Sequence, residues 1–120
     1  MQNIFIYLLS KNYHRSPKPN IYIMAYTKLD PKKLEEAASK MRAIAHPMRI
    51  AIIDMLERNE QMNVTEIYET LKIEQASASH HLNILKTKGV LDSRRSGKKT
   101  FYYLKENAIA QIVDCINKCH

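Results

Sequence analysis

The stretch Gln75-Ala76-Ser77-Ala78-Ser79-His80-His81-Leu82-Asn83-Ile84-Leu85-Lys86-Thr87-Lys88-Gly89, followed directly by Val90-Leu91-Asp92-Ser93-Arg94-Arg95, decides how this 120-residue chain folds. Up to Lys88 the apolar residues recur three and four apart. Ala78, Leu82 and Leu85 share one face, and Ile84 lies at its margin. That spacing predicts a helix over residues 75–88 with those three side chains inward and Ile84 partly covered. Gly89 then offers a left-handed stop. Beyond it the period changes to two. Residues 90–95 and 100–104 read as strands, joined by Ser96-Gly97-Lys98-Lys99, a polar turn with the glycine that a hairpin needs.

Upstream, residues 64–71 predict a short helix with Thr65 as its cap and Ile67, Tyr68 and Leu71 as its apolar face; Lys72-Ile73-Glu74 is the turn that follows. Two helices separated by a tight turn, then a basic hairpin, make a winged helix-turn-helix. Asp30-Pro31 opens an earlier helix over residues 31–45, with an N-cap oxygen and a proline whose missing N–H is not needed there. His46-Pro47 interrupts it, because the residue before proline is pushed out of the α region. The helix expected next, over residues 47–59, has little polar face and belongs at the centre of the core. A last helix is expected over residues 106–119. The fold class expected is therefore mainly α with a small β-hairpin, in the order α-α-α-α-β-β-α. Residues 29–120 should form this domain, and residues 1–28, which show no sustained period, an N-terminal extension. Met24-Ala25-Tyr26-Thr27 is also an ordinary protein beginning, so residues 1–23 are either upstream sequence or a genuine arm.

The 19 Lys and Arg outnumber the 12 Asp and Glu, a net charge of +7. Such an excess favours a polyanionic partner, since each phosphate contact releases condensed counterions. The placement of the charge gives this meaning. Once its apolar face is turned inward, the helix over residues 75–88 presents Gln75, Ser77, Ser79, His80 and His81, with Lys86 further along. No charge lies between Gln75 and Leu85, whereas an ordinary solvated face would be rich in Glu and Lys. Short side chains with both donors and acceptors suit base edges in a major groove. Arg94, Arg95, Lys98 and Lys99 cluster around Gly97 with no acid among them, a charge distribution suited to a phosphate backbone or a minor groove.

Residues 41–104 closely resemble the ArsR-type (ArsR/SmtB) family of small bacterial winged-helix repressors. The stretches that carry the resemblance are Ala43-Ile44-Ala45-His46-Pro47-Met48-Arg49-Ile50, Ala78-Ser79-His80-His81-Leu82-Asn83-Ile84-Leu85-Lys86, Lys88-Gly89-Val90-Leu91, Arg94-Arg95-Ser96-Gly97-Lys98-Lys99 and Tyr102-Tyr103-Leu104. The resemblance implies a homodimer built from the first and last helices, double-stranded operator DNA with two half-sites, and release from DNA when a signal arrives. It implies groove-facing roles for Gln75, Ser77, Ser79 and His80, and a wing role for Arg94, Arg95, Lys98 and Lys99. Ala76 stands where the family often has serine, which bears on operator preference. The dimer also follows from two apolar stripes without an obvious second layer: Leu34, Ala37, Ala38 and Met41 on one helix, Ile109, Ile112, Val113 and Ile116 on another.

The family's familiar metal sites are missing. Asn63-Val64-Thr65-Glu66-Ile67 has no cysteine, and Asp114 is followed by Cys115 and Ile116 rather than by a histidine two residues on. No cofactor is assigned. Cys115, Cys119 and His120 are the remaining candidates for a metal ion or for thiol oxidation. Their plain alternative is a small apolar residue at Cys115 and a frayed end at Cys119-His120. His46 reads as a helix-junction residue. Two cysteines in 120 residues do not make a disulfide framework and fit a reducing cytoplasm. With only Gly89 and Gly97, the chain has no phosphate-cradling glycine loop, nor a His/Cys/Asp set placed for nucleophilic catalysis, and it reads as a non-enzyme. Two alternatives to an inducible repressor remain open: a winged-helix protein-interaction module without DNA binding, and a redox or metal sensor using Cys115 and Cys119.

Overall fold

The computed structural model describes Lys28 and residues 30–119. The expectations placed on residues 1–27 and on His120 lie outside the described residues. Among those described, five helices and three strands follow one another: α1 (Pro31–Ile44), α2 (Pro47–Asn59), β1 (Met62–Asn63), α3 (Val64–Leu71), α4 (Gln75–Thr87), β2 (Leu91–Ser96), β3 (Lys99–Leu104) and α5 (Asn107–Lys118).

Helix α1 begins where Asp30 Oδ1 accepts the Lys32 N–H at 3.1 Å. It ends at Ile44, because Pro47 forces His46 into an extended conformation, φ −157° and ψ 132°. His46 then caps α2: its Nδ1 accepts the Met48 N–H at 3.1 Å, and Pro47 occupies the first turn. Ile52, Ile53 and Leu56 of α2 are fully enclosed, and α2 packs against α4, α5 and β3, the central position its sparse polar face implied.

After α2 the chain turns sharply at Glu60 (φ 63°, ψ −48°), with the Gln61 N–H donating to Asn59 O at 2.6 Å. This three-residue γ-turn stores backbone strain. It delivers β1, a strand the sequence reading did not contain, since two residues carry no period. Met62 pairs with Tyr102 and Asn63 with Phe101, so the hairpin becomes a three-stranded sheet in the order β1-β3-β2. The cap of α3 is also corrected. Asn63, not Thr65, holds the helix start: its Oδ1 accepts the Glu66 N–H at 2.9 Å while Glu66 Oε2 accepts the Asn63 N–H at 2.8 Å. This reciprocal capping box stabilises by about 1 kcal/mol.

Helix α3 ends with Lys72 in the left-handed region, and α4 then packs against α3, α2 and β2. Gly89 closes α4 with φ +76° and Gly97 opens the wing turn with φ +62°. The turn is tighter than expected. β2 runs to Ser96 and β3 starts at Lys99, leaving Gly97-Lys98 as a two-residue loop whose first residue needs positive φ. Lys105 N–H donates to Val90 O, tying the end of the hairpin to the end of α4.

The last helix requires a correction. Ile109 and Val113, expected on a dimer face, are 5% and 1% exposed and belong to the protomer's own core, because α5 lies against α2. Ile112 is half-buried against the same cluster. Ile116 at 47% and Met41 at 55% are the large hydrophobic side chains left exposed among the described residues. Leu34 and Ala38 on α1 are half-buried. Lys40 Nζ lies 3.5 Å from Glu106, placing the second half of α1 beside the start of α5.

Candidate nucleic-acid interface

Helix α4 is built on the row Ala78, Leu82 and Leu85, all fully enclosed, with Ile84 half-buried as expected. Around this row Gln75, Ala76, Ser77, Ser79 and His80 are exposed in the first turns. No side chain caps the helix, so its first N–H groups are unsatisfied by any side chain and carry the positive end of the helix dipole. Small, uncharged and facing solvent, this surface can approach a duplex closely and offers hydrogen bonds to phosphates and base edges.

His81 does not belong to that surface. It is only 9% exposed and lies inward between Ala78 and Leu82. Its ring centroid is 4.7 Å from that of His46, at 44°, so it joins α4 to the α1–α2 junction. Its Nδ1 is enclosed without a hydrogen-bond partner. Burial lowers its pKa below the usual histidine value, and positive charge at His46, Arg49 and His80 adds to the effect. His46 is the junction residue expected of it. The signal for the burial of His81 is positional: His81 falls three residues after Ala78 and four before Leu85 on the buried row.

The wing emerges from the other end of α4. Lys86, still on the helix, donates from Nζ to Ser93 Oγ on β2 at 2.7 Å. Arg94, Arg95, Lys98 and Lys99 are all exposed. Arg95 Nε donates to Gly97 O at 3.3 Å within the turn. Arg94 reaches instead to Gln61, a residue that sequence reasoning passed over because nothing local marks it. From Gln75 to Leu104 the cations Lys86, Lys88, Arg94, Arg95, Lys98 and Lys99 are opposed by one carboxylate, Asp92. An uncharged polar helix therefore stands beside a strongly basic hairpin.

Elsewhere, Cys115 and Cys119 are free and exposed on and just after α5. No group of three or more metal-ligating side chains occurs among the described residues. At the start of α3, Asn63 and Glu66 are engaged in closing the helix. No helix among the described residues is long and apolar enough to cross a membrane.

Fold and surface together define a winged helix-turn-helix DNA-binding domain. Comparison with known proteins narrows the class. The pattern of a helix-turn-helix domain matches residues 44–94. The chain is 36% identical over 87 residues to an uncharacterized HTH-type transcriptional regulator of Methanocaldococcus jannaschii, covering 72% of this chain and 98% of that one. It is 32% identical over 90 residues to the transcriptional repressor PagR of Bacillus anthracis, covering 75% and 90%. With the HTH-type transcriptional repressor SmtB of Mycobacterium tuberculosis the identity is 40% over 84 residues, covering 69% of this chain and 62% of that protein. The crystal structure of PagR superposes with a TM-score of 0.69, covering 73% of this chain and 100% of that one. The chain belongs to the ArsR/SmtB family of winged helix-turn-helix transcriptional regulators.

Proposed function

We propose that the protein is a cytoplasmic homodimeric repressor that binds operator DNA through α4 and the wing, and that a signal still to be identified releases it. The observation that carries this reading is the exposed, uncharged polar face at the start of α4 standing beside the basic hairpin. Gln75, Ser77, Ser79 and His80 read base edges and neighbouring phosphates in the major groove, and the wing cations follow the backbone. Lys86 supports the wing through Ser93. The repressor role follows the relatives, PagR and SmtB, whose names describe it. The dimer joins α1 and α5 of two copies. It is supported by Met41 and Ile116, which water would otherwise meet, and by the two-fold symmetry that operator half-sites require.

The test is a gel-shift with the promoter DNA beside the protein's own gene, repeated across salt concentrations. Binding that weakens steeply with salt is expected, because counterions are recaptured when phosphates are freed. Absence of binding at low salt would remove the DNA-binding reading and favour a protein-interaction module.

A further inference from the structure

Arg94 leaves the wing in a direction its basic neighbours do not share. Arg94 and Arg95 are adjacent on β2, so their side chains leave the sheet on opposite faces. Strand β3 lies between β2 and β1. Arg94 stands opposite Phe101, and Phe101 stands opposite Asn63, so these three residues share one face. Gln61 directly precedes β1, on the far side of β3 from Arg94. The Arg94 side chain must cross β3 to reach it. There Nε and Nη2 both donate to Gln61 Oε1, at 3.1 and 2.7 Å. Gln61 is itself held in place: the strained turn at Glu60 precedes it, with its N–H bonded to Asn59 O, and β1 follows.

The remaining wing cations are arranged differently. Arg95 bonds within its own turn, and Lys98 and Lys99 make no side-chain hydrogen bond or ion pair among the described residues. We infer that Gln61 is a positioning residue for the wing, and that Arg94 is the tether it holds rather than a phosphate contact. The inference rests on the DNA-binding reading above and refines it, leaving the wing's phosphate contacts to Arg95, Lys98 and Lys99. Two donors on one oxygen fix the guanidinium plane. Because β1 runs directly into the Asn63 cap of α3, the tether sets the wing against the helix-turn-helix itself. A wing held this way before DNA arrives has less freedom to lose on binding.

The full chain is used for the test. Backbone NMR order parameters of Gly97 and Lys98 are measured without DNA. Affinity for a fluorescent random-sequence duplex of about three helical turns is measured across salt. The variants are Gln61→Ala, Gln61→Glu, Arg94→Ala, the double Gln61→Ala/Arg94→Ala, and Lys99→Ala for comparison. Gln61 and Arg94 are both exposed, so these changes leave the core intact. Gln61→Ala and Arg94→Ala are each expected to lower wing order and to weaken binding about two- to tenfold, the range of one or two exposed hydrogen bonds. The double variant should be no worse than either single one, and the salt slope should stay as it was. Gln61→Glu, which retains an accepting oxygen, should keep the wing ordered. Lys99→Ala, which removes no hydrogen bond among the described residues, should leave wing order alone and reduce the slope by about 0.9, the value of one phosphate contact. A slope reduced by that amount in Arg94→Ala would make Arg94 a phosphate contact and overturn the inference. So would unchanged wing order in Gln61→Ala. If the parent protein does not bind the duplex even at low salt, the DNA-binding reading fails, and the order parameters still decide whether Gln61 tethers the wing.

Discussion

Among single residues, His81 shows most clearly where a hydrophobicity pattern misleads. Ala78, His81, Leu82 and Leu85 occupy the i, i+3, i+4 and i+7 positions of one helix face, and all four are buried. The row was legible from its apolar members. The residue type of His81 points to the polar surface, whereas its position in the row points inward. Burial has a consequence for pH. A histidine whose folded pKa lies below its unfolded value, about 6.5, binds fewer protons when folded. Stability is then constant above that value and falls as pH drops through it towards the lowered folded pKa. Thermal melts of the parent and of His81→Leu between pH 7.5 and 5, a window of about one unit above and one and a half below the unfolded value, should show the parent losing more Tm. Parallel curves would mean that His81 contributes nothing to the slope. The charged groups acting on His81 are His46, Arg49 and His80, with no carboxylate among them, so no nearby anion offsets the penalty. Arg94 teaches a related lesson. Adjacent cations look like one cluster in a sequence, yet a strand sends them to opposite faces.

At the scale of elements, the division between α4 and the wing predicts different effects on DNA recognition. Ser79→Ala or His80→Ala should reduce the preference for operator over random DNA by about 1–3 kcal/mol, the worth of a base-edge contact. Lys98→Ala with Lys99→Ala should weaken both complexes about equally and flatten the salt dependence by roughly two phosphate contacts. Competition binding over a salt series separates the two, and a wing pair that altered only sequence preference would contradict this assignment. The five helices were legible because each carries a helical period or a strong start and stop signal; the bounds of α2 matched to the residue. Strand β1 was not, because two residues alternate nothing and its pairing is set by β3, almost forty positions away. The cap of α3 was displaced by two residues for the same reason: Asn63 is at once the end of a strand and the start of a helix. Asn63→Ala should therefore cost about 1–2 kcal/mol in denaturant unfolding, more than a helix cap in open solvent, since the residue is buried.

For the whole molecule, burial in one protomer has to be separated from burial in a pair. A helical stripe shows that a face is covered but not by what, and this is why Ile109 and Val113 were assigned to a partner when the protomer's own α2 covers them. Two kinds of substitution distinguish these situations. Ile109→Ala should destabilise the protomer by about 2–5 kcal/mol, as core truncations do. Met41→Asp with Ile116→Asp should leave the protomer folded, shift sedimentation to the monomer, and reduce operator affinity by about a hundredfold or more, since the second half-site is no longer linked to the first. A dimer that survives both aspartates would place its interface elsewhere. The sheet has a further consequence, in time rather than in space. Met62 leaves the ribosome forty residues before Tyr102, its partner in β3 (102 − 62 = 40). At roughly 5–20 residues per second of synthesis, β1 waits about two to eight seconds for its mate. Within that interval α3 and α4 emerge before the strand that ties them to the wing, so a nascent chain cannot present a finished DNA-reading unit until β3 has been made.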